Sequence, residues 1–178
     1  MASERSELVS HVATMADNHF VQSNNGQPKR KMKRRTSKEV ILVAYHEAAH
    51  AVVAYKVFHN QNWVPVRNIS IKADNNSDGH CTICETEIDA RVLVAGSLAE
   101  ANVLRLLHQP RDEIILTTAR GAKDDFANLT DKELSIAADI ASDIILSNWS
   151  LIEKIATQLR KNRSIGASSM HRILSECR

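Results

Sequence analysis

Large side chains are scarce in this chain. Aromatic residues make up 4% of its 178 positions (two Trp, two Tyr and three Phe). A core therefore has to be assembled from Ala, Leu, Ile and Val, which favours closely packed helices over a β-sandwich. The three cysteines, Cys81, Cys84 and Cys177, are too few for a disulfide framework. No run of 18 apolar residues occurs, because the best stretch, 40–58, is broken by His46, Glu47 and His50; this argues against a membrane span. The N-terminus also lacks the apolar segment of a signal peptide. These absences lead to the expectation of a soluble, cytoplasmic protein. Hydrophobic and charged contents of 43% and 25% suit a globular chain, and the length suits one domain with a tail.

Charge is unevenly distributed. The net charge is +2, but residues 1–38 hold eight Lys/Arg against three Asp/Glu, and the remainder holds fifteen against eighteen. Seven of the ten residues 29–38 are basic. Residues 1–35 read as a disordered, basic tail, and residues 36–178 as the domain. The cluster at 29–38 suits contact with nucleic acid or an acidic membrane surface, although a charge run more often marks a solvated arm.

What remains is patterned. "TSKE" at 36–39 has the form of a capping box and opens a helix to about residue 58 that is apolar on nearly all sides, hence buried. "VRNISIKA" (66–73) and "GHCTICET" (79–86), joined by "DNNSDG", read as a β-hairpin. A helix over 87–107 has the small-residue centre "LVAGSLAEA", which lets another helix approach closely. Residues 108–121 read as a loop with a short apolar patch, followed by a short helical piece at 124–129. Helices follow at 131–148, 150–161 and 167–176. The fold class expected is α+β, mainly helical, with a short β-hairpin beside the first helix.

That first helix carries "HEAAH" at 46–50. Histidines at i and i+4 lie on one helical face, so both imidazoles can reach one ion. Neutral imidazole suits Zn²⁺, and catalytic zinc normally has three protein ligands. The adjacent Glu47 then lies where it can take a proton from water, whose pKa zinc brings down towards about 7. His46 and His50 are candidate ligands and Glu47 the candidate general base. Burial strengthens this reading, since polar groups in an apolar helix need something to satisfy them. For the third ligand the residues leave Glu100, Asp124 and Asp125 open; His59 lies past the expected helix end.

A series of motifs resembles the peptidase domain of the FtsH-type AAA+ zinc proteases. "AYHEAAHA" (44–51) is similar to that family's "AYHEAGHA", "RNISIKAD" (67–74) to its "KVTIIPRG" strand, and "AGSLAEANVL" (95–104) to its "GGRAAEELVFG" helix. "TTARGAKDDF" (117–126) is similar to its "TTGASNDL", with two residues inserted. Residues 151–174 resemble its closing helical segment, so the likeness covers about 37–177. It implies an FtsH-peptidase-like helical domain that hydrolyses peptide bonds of unfolded or loosely structured proteins. It also implies Zn²⁺ held by His46, His50 and Asp125, with Glu100 the second choice as ligand or else a carboxylate that orients a ligand histidine. An extended polypeptide substrate would pair with the strand containing Gly79, His80, Cys81, Thr82 and Ile83.

Departures from the family pattern are equally plain. Ala49 replaces the motif glycine, and a helix that normally follows the aspartate is missing. No Walker A pattern (GxxxxGK[ST]) occurs, so cleavage would be ATP-independent or would depend on a separate unfoldase or a homo-oligomer. An independent metal role for His80, Cys81 and Cys84 is set aside, because strand alternation explains them. Two other readings use the same residues. One is a catalytically silent adaptor that keeps fold and metal; the other is a regulatory protease specific for one repressor, which DNA binding by the tail would favour.

Overall fold

In the computed structural model, which describes residues 35–58, 65–73, 79–83, 89–122, 125–126 and 129–176, Thr36 starts the central helix. The capping box closes in both directions: the Glu39 amide donates to Thr36 Oγ1 at 3.2 Å and the Thr36 amide to Glu39 Oε2 at 2.6 Å. The elements run α1 (Ser37–Phe58), β1 (Val66–Ser70), β2 (His80–Ile83), α2 (Ala90–Leu106), α3 (Arg111–Gly121), α4 (Asp131–Ser147), α5 (Trp149–Asn162), β3 (Ser164–Gly166) and α6 (Ala167–Ser175). The architecture is thus mainly helical with a small antiparallel sheet, as the sequence pattern leads one to expect.

Helix α1 packs against α2, α5, β1 and β2, and every residue from His46 to Tyr55 is buried. Among the described residues it is the one helix long and apolar enough to cross a membrane by length and composition, yet 61% of its most apolar 18-residue window is buried in the fold. Its lining is mostly alanine: Ala44, Ala48, Ala49, Ala51 and Ala54 are fully covered. Such side chains bury little area each, so the apolar stabilisation, about 25 cal/mol per Å², comes mainly from Leu98, Leu104, Ile152, Ile155 and Leu159 on its neighbours. At its side, Tyr45 stacks on Trp149 of α5 with centroids 5.3 Å apart.

The hairpin belongs to a three-stranded sheet of order β2-β1-β3. Strand β2 pairs with β1 through Ile69↔Cys81 and Ser70↔His80, with a register irregularity at Arg67. Strand β3 pairs on the other side through Ile69↔Ile165. It has no signal in the sequence because it is three residues long; a left-handed Arg163 (φ 67°) ends α5 and turns the chain into it. Both expected strands are shorter than their patterns among the described residues, and 84–88 lies outside them.

One expected element is overturned. Residues 111–121, read as loop, form α3. The β-branched run "IILTT" has modest helix propensity, but Asp112 and Glu113 in the first turn and Arg120 in the last complement the helix dipole. Ile114, Thr118 and Ala122 then form one buried face against α2, so packing overrides propensity. Thr118 satisfies its hydroxyl by donating to the Ile114 carbonyl at 2.8 Å. The helical piece expected at 124–129 falls partly outside the described residues; the described positions turn, with the Phe126 amide on the Ala122 carbonyl and the Leu129 amide on the Phe126 carbonyl.

Most of the expected tail, residues 1–34, also lies outside the described residues. Arg35 already engages the fold, donating to the Ile71 carbonyl at 3.0 Å, and Lys38 pairs with Glu113 at 2.6 Å. Leu98→Ala, at a fully buried site on α2, is expected to lower unfolding free energy by roughly 2–5 kcal/mol. Leu116→Ala, at a position 61% exposed, should stay within about 0.5 kcal/mol; urea denaturation of the two variants checks the pair.

Candidate metal centre

Helical spacing brings His46 and His50 of α1 together, with their Nε2 atoms 2.9 Å apart. Each ring is held from behind through Nδ1. His46 Nδ1 donates to Glu100 Oε1 of α2 at 3.1 Å, and His50 Nδ1 donates to the Val92 carbonyl at 2.6 Å. A carbonyl can only accept, so the proton of His50 sits on Nδ1 and its Nε2 presents a lone pair. The same tautomer is favoured at His46 by the Glu100 carboxylate.

Asp125 completes the group from the turn after α3, where buried Phe126 anchors the backbone. Its Oδ2 lies 3.3 Å from His46 Nε2 and 3.5 Å from His50 Nε2. These are ion-pair distances without hydrogen-bond alignment, and this buried oxygen has no hydrogen-bond partner among the described residues. Two nitrogens and one oxygen therefore point at a common place where a cation would satisfy all three. His46, His50 and Asp125 are the one group of this kind among the described residues that could hold a metal ion.

The charges around this place favour a cation even without metal. Burial opposes the His46 imidazolium, but Glu100, Asp125 and Glu47 outweigh it and hold its pKa well above the ordinary value. Burial likewise opposes the Asp125 carboxylate, and the two histidines overcome it, leaving its pKa far below the usual range. A metal ion would need the His46 imidazole neutral, so proton and metal compete for it. Glu47 differs: burial raises its pKa, partly offset by His46 and His50. Only 5% exposed, it is a carboxylate poised to accept a proton at higher pH than a surface glutamate.

Helix α2 approaches closely because of Gly96. A Cβ at that position would lie 2.5 Å from both Cε1 and Nε2 of His46, inside any van der Waals contact. A glycine within a helix costs up to about 1 kcal/mol relative to alanine, and here the missing side chain makes room for the His46 ring.

The remaining sequence candidates are distributed as follows. Glu100 stands behind His46, at its Nδ1, rather than in the Nε2–Nε2–Oδ2 triangle. On β2, His80 and Thr82 face solvent while Cys81 and Ile83 turn inward. His80 Nε2 is 3.3 Å from the Asn68 amide nitrogen. Burial, with the Glu47 charge, pushes the Cys81 thiol well up, so it stays protonated and unreactive. Cys84, Asp124 and His59 lie outside the described residues. The Val92 carbonyl and Gly96 were not singled out from sequence: a backbone acceptor leaves no residue-type signal, but a glycine inside an otherwise good helix does.

Compared with models of known protein families and with curated proteins, the chain matches none.

Glu100→Ala is expected to weaken metal binding by roughly 10–100-fold, and Gly96→Ala to weaken it too by displacing the His46 ring; competition with a chromophoric chelator measures both. Because proton and metal compete, wild-type affinity should also fall as pH is lowered from about 8 to about 6, with protons released on binding in calorimetry.

Proposed function

We propose that this chain is a zinc-dependent metalloendopeptidase related to the peptidase domain of the FtsH-type proteases, acting in the cytoplasm on unfolded or loosely structured polypeptides. The observation that carries the reading is the triangle of His46 Nε2, His50 Nε2 and Asp125 Oδ2 with the buried carboxylate of Glu47 next to it in sequence. Tetrahedral bonds of about 2.0–2.2 Å set ligand atoms about 3.3–3.6 Å apart, close to the 2.9, 3.3 and 3.5 Å found here. An imidazole, imidazole, carboxylate donor set suits zinc and leaves room for water and substrate.

His46, His50 and Asp125 would hold the ion, which when bound supplies Lewis-acid activation of water and of the scissile carbonyl. Glu100 and the Val92 carbonyl keep both Nε2 lone pairs aimed inward. Glu47 takes the proton of the attacking water and later delivers it to the leaving amine nitrogen. Its raised pKa suits both transfers.

Strand β2 supports the substrate half of the reading. It is an edge of the sheet, and no described strand pairs with its outer side. An extended peptide adding there would gain main-chain hydrogen bonds along Gly79–Ile83, with alternate side chains read by the exposed face.

Zinc-loaded protein is expected to cleave an unfolded substrate such as casein. Glu47→Gln, loaded identically, should retain zinc and lose roughly 10²–10⁴-fold in kcat. Equal cleavage by the two proteins would eliminate Glu47 as the base.

A further inference from the structure

The two candidate ligands and the candidate base are held in different ways. Each histidine is oriented by a hydrogen bond, to Glu100 or to the Val92 carbonyl. Glu47 accepts no hydrogen bond from the described residues, although it is 5% exposed. What lies against its carboxylate is the start of β2. A Cβ on Gly79 would be 2.6 Å from Glu47 Oε1, 3.0 Å from Glu47 Cγ and 2.8 Å from Val43 Cγ1.

We propose that Gly79 is a positioning residue for Glu47: by lacking a side chain it lets β2 lie directly on the carboxylate, and this steric contact fixes where the base sits. Its inward orientation agrees with the strand, on which Cys81 and Ile83 also turn inward while His80 and Thr82 face out. Val43 and Glu47 are one helical turn apart on α1, so they form the floor on which Gly79 rests. The edge strand and the base thus move as one unit, and a shift of the strand on binding a peptide is transmitted to Glu47 without any hydrogen bond.

The catalytic half of this inference rests on the peptidase reading; the steric half does not. A double-mutant cycle on thermal stability tests the contact itself, using the full chain with and without zinc. Gly79→Ala should lower Tm by several degrees, and the part of that loss due to Glu47 should vanish in a Glu47→Ala background, where the contacts with Oε1 and Cγ are gone while the 2.8 Å approach to Val43 Cγ1 remains. The backbone-entropy effect of replacing glycine is common to both backgrounds and cancels. Should Gly79→Ala alone not fold, recovery of folded protein in the Glu47→Ala background is the same coupling. Equal losses in both backgrounds, or no recovery, would overturn the proposal.

Kinetics then address the base. Gly79→Ala should leave zinc affinity unchanged and lower kcat roughly 10–100-fold with little change in KM. Glu47→Asp, damaging in the wild type, should cost less in the Gly79→Ala background because the shorter side chain vacates the disputed space. Full additivity of the two substitutions would refute positioning. Stability coupling in a protein that cleaves no peptide would instead refute Glu47 as a base, with the contact between β2 and Glu47 left standing.

Discussion

Everything at the centre depends on where two protons sit. Because His50 Nδ1 faces the Val92 carbonyl and His46 Nδ1 faces Glu100, both rings turn Nε2 towards the same place, and Asp125 adds an oxygen with no partner of its own. Two lone pairs 2.9 Å apart repel unless a cation lies between them. The carboxylates around His46 raise its pKa and so favour positive charge there, and a divalent ion would satisfy all three atoms at once. Reverse either Nδ1 contact, and the three atoms no longer converge on one place.

Small side chains make that arrangement sterically possible. Alanines on α1 and the Ala95–Gly96–Ser97 stretch of α2 are buried, so the two backbones approach until the His46 ring fills the place of a side chain on Gly96. The same approach sets Glu100, one turn further along α2, behind His46, and sets the Val92 carbonyl, one turn earlier, behind His50. Scarcity of aromatic residues is therefore more than a compositional accident: bulkier cores would hold α1 and α2 too far apart for the contacts that orient the two imidazoles.

Much of this was legible in the sequence, and the reasons differ by element. The capping box at Thr36, the apolar 40–58 stretch and the alternating strands carry strong local periodicity, and the helices from 131 onward are likewise visible to within a residue or two. Helix α3 was not, because its β-branched residues look strand-like or irregular until α2 is present to bury Ile114 and Thr118. Strand β3 is too short to show a period. Within the centre, His46 and His50 followed from i, i+4 spacing alone, whereas the choice of Asp125 over Glu100 came from a family resemblance, and their distinct positions became visible only when α2 and the turn after α3 were folded together. Gly79 was picked out for its strand, and its contact with Glu47 could not be read without the packing of β2 on α1.

X-ray absorption at the zinc edge on the stoichiometrically loaded protein, compared with the same measurement on Asp125→Ala, addresses the centre most directly. One tightly bound zinc per chain with two imidazole nitrogens and a carboxylate oxygen is expected, and the aspartate variant should lose the carboxylate contribution and bind more weakly. An unchanged spectrum in that variant, or a bound ion lacking the two imidazoles, would contradict the arrangement of His46, His50 and Asp125 as a metal site.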